Sequence, residues 1–208
     1  RQEMSELVGR GRGVEGVRAV YGREKLRIIL ADILEVIPRS AVPQALSDVM
    51  STAIDAALLS VRRDLDTEHR IYDYDFAIIA MGRLGGREIG VFSDADVCFV
   101  YRPAHTMGDD DREALAKHAR RVALEVTSAL KSAQQDPAIE LDADLRPEGR
   151  SGPYVRTLES YRRYYEAWSE PWEAQALLRA RPIAGDNDLM SDYVDMINPL
   201  RYPQTLPV

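Results

Sequence analysis

Ser93-Asp94-Ala95-Asp96 leads into the apolar run Val97-Cys98-Phe99-Val100-Tyr101. In a β-strand, residues two apart point to the same face and lie about 6.6 Å apart along the chain. Asp94 and Asp96 are therefore expected to project together from the start of a strand. Two like charges on one face repel each other unless a cation offsets them. Hard divalent ions such as Mg²⁺ or Mn²⁺ favour such carboxylates and keep waters that a phosphate can replace. Taken alone, Asp-x-Asp also fits two solvated residues at a strand start. Two neighbouring features favour the metal reading. Asp142 and Asp144 repeat the pattern in a second run, and one more carboxylate would complete a two-metal site with ions ~3.5–4 Å apart. That carboxylate can also accept a proton from an incoming hydroxyl. Upstream lies Gly82-Arg83-Leu84-Gly85-Gly86-Arg87-Glu88-Ile89-Gly90. Glycines let a backbone approach a phosphate, and turn amides can cradle it. The block is neither a Gly-Lys-Ser/Thr phosphate loop nor a G-x-G-x-x-G fingerprint, so both of those nucleotide folds are excluded.

Other side chains carry weaker signals. Arg146, Arg150, Arg179 and Arg181 have the chemistry for phosphate or acidic-partner contacts, and each also fits a structural ion pair. Glu173 is expected at a helix start, where a carboxylate favours the dipole. Tyr161, Tyr165, Trp168 and Trp172 recur at helical spacing and read as core. His69, His105 and His118 show no metal-ligand spacing and read as surface residues. Cys98 sits in an apolar run and reads as a buried, inert thiol.

These residues need a scaffold. The chain has 208 residues, 45% hydrophobic and 29% charged, with 27 Lys plus Arg against 34 Asp plus Glu, a net charge of −7. That is a globular balance and argues against a nucleic-acid or anionic-membrane surface. A single cysteine excludes an intrachain disulfide and a cysteine-built metal site. No run approaches the ~20 apolar residues of a membrane span, and the first residues lack a signal-like apolar region, so a cytoplasmic location is expected. The start at Arg1 rather than Met reads as a fragment of a longer protein. Helical spacing predicts helices over 21–37 (Leu26, Ile29, Leu30, Ile33, Ile37), 43–63, 111–132, 157–168 and 171–180. Apolar runs predict strands over 76–81, 94–101 and 138–145. The expected organisation is an N-terminal helical segment (1–70, loose to about residue 20), a catalytic core with flanking helices (71–190) and an irregular tail (191–208). The fold class expected is α+β, a small sheet with helices over one face.

The strand ending in glycine, the Asp-x-Asp strand twelve residues on from Gly82, and a later strand with a third Asp resemble the polymerase-β-type nucleotidyltransferase superfamily. The strings Gly82 to Gly90, Ser93 to Asp96, Leu141-Asp142-Ala143-Asp144-Leu145-Arg146-Pro147-Glu148-Gly149 and Trp172-Glu173-Ala174-Gln175-Ala176-Leu177-Leu178-Arg179-Ala180-Arg181 are similar to those of the glutamine synthetase adenylyltransferase family. The resemblance covers about residues 20–190. It implies a nucleotidyltransferase with ATP as substrate and Mg²⁺ or Mn²⁺ held by Asp94, Asp96 and Asp142. It implies that Gly82, Arg83, Gly85, Gly86, Ser93 and Arg146 bind the nucleotide. It also implies glutamine synthetase as protein substrate and a PII-type signal protein as a regulator. The family joins two related halves, one adding AMP to a tyrosine and one removing it by phosphorolysis. The Trp172 to Arg181 string resembles the adenylylating half. The phosphorolytic half and a silent nucleotidyltransferase-like regulatory module are the alternatives. Asp144 stands where many relatives carry Arg. Asp142 matches the family position of the third ligand.

Overall fold

The computed structural model describes residues 13–68, 72–104, 107–131, 138–167 and 171–202. Strand β1 (Tyr74–Ala80) and strand β2 (Ala95–Pro103) pair antiparallel, with Ala80 opposite Val97. Both strands are apolar without alternation because both faces of the sheet are covered. Phe76, Ile78, Ala80, Val97, Phe99 and Tyr101 lie in one hydrophobic cluster. Ala77, Ile79, Cys98 and Val100 lie in another. The first cluster is filled by helix α1 (Gly13–Ile33), helix α2 (Val42–Glu68) and, beyond β2, helix α4 (Asp109–Lys131). The second takes Tyr161 and Tyr165 from helix α5 (Leu158–Ala167), and Leu189, Tyr193 and Ile197 from helix α7 (Asn187–Arg201). Each large aliphatic side chain so enclosed stabilises the fold by about 1.5–3 kcal/mol.

Helix α3 (Gly82–Gly85) is a single turn after β1, and helix α6 (Pro171–Leu177) follows α5. Strands β3 (Leu141–Asp142), β4 (Val155–Thr157) and β5 (Arg181–Gly185) complete a five-stranded mixed sheet. Its order is β3-β2-β1-β5, and β4 also pairs with β2. β3 and β4 run parallel to β2, while β5 runs antiparallel to β1. The α+β class read from the sequence is what the structure has.

Several expectations are corrected. Helices cover both faces of the sheet, not one, because the apolar strands have no side left for water. Residues 13–20 are helical rather than loose, and α1 buries Val17, Val20, Tyr21 and Ile28. Leu26, Leu30 and Ile33, whose spacing predicted the helix, are exposed. α1 is apolar on more than one side, so spacing alone did not choose the buried one. Residues 191–201, expected to be irregular, belong to α7, whose last turn accommodates Pro199. Pro43 does sit in the first turn of α2, where its missing N–H costs nothing. Residues 178–180 leave the helix for β5. Among the described residues, no helix is long and apolar enough to cross a membrane.

Candidate active site

β2 and β3 place the acidic residues. Asp94 precedes β2 by one position and Asp96 is its second residue, so the two side chains share a face. β3 runs parallel to β2 with Asp96 opposite Asp142. One ligand oxygen from each of Asp94, Asp96 and Asp142 lies within 4.8 Å of the others. Oxygens on one hard cation sit about 2.0–2.6 Å from it, so donors this close can share an ion. The donor set therefore fits Mg²⁺ or Mn²⁺. Burial first, and then the charges of Asp94 and Asp142, push the Asp96 carboxyl above its ordinary value, while Arg83 opposes the shift. The Arg83 guanidinium lies 3.7 Å from Asp94 Oδ1.

Asp144 does not join this group. Asp142 Oδ1 accepts the Asp144 N–H at 2.7 Å, a side-chain turn that ends β3 after two residues. The strand expected over 138–145 is thus cut short and its alternation lost. The Asp144 carboxylate pairs with Arg150 Nε at 2.6 Å and Arg146 at 3.5 Å.

The glycine block folds into α3 and a turn. The Met81 N–H donates to Asp96 O at 2.8 Å, which pins the block against β2. Gly82 has φ +48°, and a Cβ there would overlap Asp96 Oδ2 and stand 3.0 Å from its Cγ. A Cβ at Gly85 would overlap Arg179 O and stand 2.7 Å from Ala80 O. Gly86 has ordinary clearance. The first-turn amides of a helix have no intrahelical acceptor, and those of Gly82 and Arg83 occupy that position beside the carboxylates. Arg181 clamps the block from below. It donates to Leu84 O at 3.1 Å, Gly85 O at 3.2 Å and Ser51 Oγ at 3.3 Å. Burial, and then the nearby Arg87, hold its pKa below the usual guanidinium range.

The other candidates fall into place by contact. Ser93 Oγ accepts the Gly90 N–H at 2.9 Å and shapes the turn before Asp94. Arg146, read as a nucleotide ligand, is only 7% exposed; it donates to Ala143 O at 2.7 Å and Gly152 O at 3.3 Å, under the Tyr154 ring. Its guanidinium braces the loop after β3 instead of facing solvent. Arg179 pairs with Glu88 at 3.1 Å. Glu173 is buried in the first turn of α6 and accepts from the Tyr164 hydroxyl at 2.8 Å. Cys98 is fully buried and its thiol is pushed up to about 12, chiefly by burial. Tyr161 and Tyr165 are core, whereas Trp172 is 53% exposed. His118, expected at the surface, is buried against the rings of Tyr72 and Tyr74, which shield an imidazole as readily as an apolar ring. His69, His105 and Trp168 lie outside the described residues.

One feature was missed by the sequence reading. A cleft of about 1080 Å³ separates α1 from the turn before β2, with Tyr21, Arg23 and Leu26 on one wall and Phe92, Asp94 and Glu140 on the other. The apolar pair Val91-Phe92 just ahead of Ser93-Asp94 was the signal for it.

Comparison with known proteins identifies the family. A family model described as glutamate-ammonia ligase adenylyltransferase matches residues 1–195. The bifunctional glutamine synthetase adenylyltransferase/adenylyl-removing enzyme of Mycobacterium tuberculosis (strain CDC 1551 / Oshkosh) is 46% identical over 193 residues, 92% of this chain and 19% of the relative. Its namesake in Cutibacterium acnes is 42% identical over 206 residues, 97% of this chain and 20% of the relative. That of Streptomyces coelicolor is 44% identical over 204 residues, 92% of this chain and 20% of the relative. The chain thus spans about a fifth of the length of these curated relatives. With the match extending across the glycine block and all three clustered aspartates, the chain belongs to the glutamate-ammonia ligase adenylyltransferase family.

Proposed function

We propose that this chain transfers AMP from ATP to a tyrosine of glutamine synthetase. The observation that carries the reading is the meeting of Asp94, Asp96 and Asp142 oxygens within 4.8 Å beside a glycine turn. Asp94 and Asp96 are the residues to hold Mg²⁺ or Mn²⁺, with Asp142 as the third ligand. A divalent ion bound there supplies charge neutralisation for the attacking and leaving oxygens. Gly82 and Arg83 receive the triphosphate, the amides as donors and the guanidinium as a counter-charge. Gly85 and Gly86 give the turn its path, and Ser93 and Arg146 fix the loops that carry Asp94 and Asp142. The tyrosine oxygen attacks the α-phosphorus in line. A new phosphorus–oxygen bond forms, the bond to the bridging oxygen breaks, and pyrophosphate leaves with that electron pair. Asp142, nearest the incoming hydroxyl in this reading, takes the phenolic proton. The reaction belongs to the cytoplasm, with a PII-type signal protein as regulator.

The relatives' names carry two activities, so the removing reaction is the second reading. There phosphate attacks adenylyl-tyrosine, ADP forms and the tyrosine regains its proton. The two are separated by one pair of assays. The chain with ATP, Mg²⁺ and unmodified glutamine synthetase should incorporate AMP. Release of ADP from the modified enzyme plus phosphate, without incorporation in the first assay, would reverse the assignment. ATP binding that ignores Mn²⁺, with neither reaction, would leave only a silent module.

A further inference from the structure

Asp94 belongs to two surfaces at once, the acidic cluster and the cleft between α1 and the 91–94 turn. Residues 82–86 do not line that cleft, whereas Ala138 and Glu140, which lead into β3, do. β2 has β1 and the glycine turn on one side and β3 on the other. The cleft therefore opens on the β3 side of the carboxylates, across from the turn that receives the triphosphate in the reading above. Of the three clustered aspartates, Asp94 lines it.

Its walls have the chemistry of a protein-docking site. Phe92 is 98% exposed, two residues before Asp94, on a turn closed by the Ser93–Gly90 hydrogen bonds. Leu26 stands on the facing wall and is 55% exposed. Large apolar side chains held out on an ordered turn and helix gain nothing for the fold, and aromatic anchors of this kind dominate interface energetics. Leu30 and Ile33, also exposed, continue the surface along α1 at helical spacing, about 10 Å of apolar stripe. Arg23, paired with Glu24 at 3.3 Å, and Lys25, 5.7 Å from the Tyr21 ring centroid, stand beside Leu26 on the cleft wall. A volume of about 1080 Å³ is at the top of the range for small-molecule pockets and has room for several residues of an extended segment.

We propose that this cleft docks the acceptor protein: a segment that seats an apolar side chain between Phe92 and Leu26, turns acidic flanks toward Arg23 and Lys25, and delivers its tyrosine hydroxyl to the Asp94–Asp96–Asp142 cluster. The proposal rests on the adenylyl-transfer reading and assigns the acceptor's route in it. Phe92 and Leu26 touch neither phosphate nor cation, and both are exposed, so their truncation leaves the fold intact.

The test compares wild type, Phe92→Ala and Leu26→Ala. Initial rates are measured against unmodified glutamine synthetase at saturating MnATP, MnATP affinity by calorimetry, and binding of glutamine synthetase by biolayer interferometry. The expected result is a KM for glutamine synthetase raised about tenfold or more in each variant, kcat nearly unchanged, and MnATP affinity unchanged. An unaltered KM and unaltered binding would overturn the proposal. Weakened MnATP binding with an unaltered acceptor KM would also overturn it and give the cleft to the nucleotide. If wild type binds glutamine synthetase without adenylylating it and Phe92→Ala weakens that binding, the docking site stands and the transfer reading falls.

Discussion

Gly82→Ala and Gly85→Ala are both one-methyl changes in the same turn, yet the structure gives them opposite consequences. At Gly82 the new Cβ meets Asp96, whose carboxylate is the free end of a half-buried side chain. That carboxylate can swing aside, so the stability cost is mainly the φ of +48°, about 1–2 kcal/mol for a residue with a Cβ. For a chain of this length each kcal/mol lowers Tm by about 2–4 °C. The functional cost is larger, because Asp96 cannot return to the cluster without overlapping the methyl. Loss of one of three oxygen ligands should weaken Mn²⁺ binding at least tenfold, about 1.4 kcal/mol or more. At Gly85 the Cβ meets main-chain oxygens of Arg179 and Ala80, and no rotamer relieves that. Backbone must shift, at a cost toward the upper end of the about 1–3 kcal/mol typical of overpacking. Urea denaturation and Mn²⁺ titration on both variants read the two quantities separately. The expected pattern is a mild stability loss with severe loss of Mn²⁺ affinity and turnover for Gly82→Ala, and a larger stability loss for Gly85→Ala. If Gly82→Ala binds Mn²⁺ and turns over like wild type, the approach of Gly82 to Asp96 has no functional weight and the reasoning fails.

Three more outcomes follow from the same geometry. Asp96 has its pKa raised in the fold, so its ionised form opposes folding: the stability it adds below its unfolded pKa is lost as pH rises through the folded value. Asp96→Asn should therefore abolish turnover, hold or raise Tm at neutral pH, and remove the Tm gain that Mn²⁺ gives wild type; a lower Tm would deny the repulsion. Asp142→Asn keeps an oxygen for the Asp144 N–H and should fold normally without turnover, whereas Asp144→Asn should keep substantial activity, because Asp144 faces Arg146 and Arg150; the reverse pattern in AMP incorporation would exchange their roles. Arg181→Met leaves the carbonyls of Leu84 and Gly85 without this donor and should cost about 1–3 kcal/mol in urea denaturation. Arg181→Lys, which lacks the fork, should recover only part of that, and full recovery would deny the clamp.

The clustering of acidic side chains beside a glycine turn was legible because it depends on residue types at fixed short spacing. Gly82 to Asp96 lies on one strand–turn–strand unit, and its aspartates could be paired by strand periodicity alone. Asp142 and Asp144 stood out as a repeat of the same pattern, the likeness of their string to a known family chose Asp142, and the β2–β3 register places it opposite Asp96. What stayed hidden depended on partners distant in sequence. β4 and β5 are three and five residues long, and only their pairing with β2 and β1 makes them strands. The buried side of α1 was ambiguous because Leu26, Leu30 and Ile33 are as apolar as the residues it buries. Arg146 and Arg181 looked suited to phosphate, but carbonyls that no local pattern reveals accept their protons. Asp144 failed the alternation rule because the side chain two residues earlier captured its amide.

The clustered aspartates also explain why the core is distributed as it is. Three like charges within 4.8 Å tend to spread apart, and side chains on a pliable loop would do so. Here each is tied by backbone. Met81 N–H bonds to Asp96 O, Ala95 N–H bonds to Glu140 O at 2.8 Å, and Asp142 is anchored by its own bond to Asp144 N–H. β2 runs from this point between two hydrophobic clusters, so its end cannot yield without disturbing both. A sheet covered on one face alone would leave the carboxylate end of β2 freer to relax, and the repulsion would be relieved by movement. With both faces packed, the backbone that carries the three carboxylates is held in place, and the repulsion is left to the side chains, where it helps raise the Asp96 pKa.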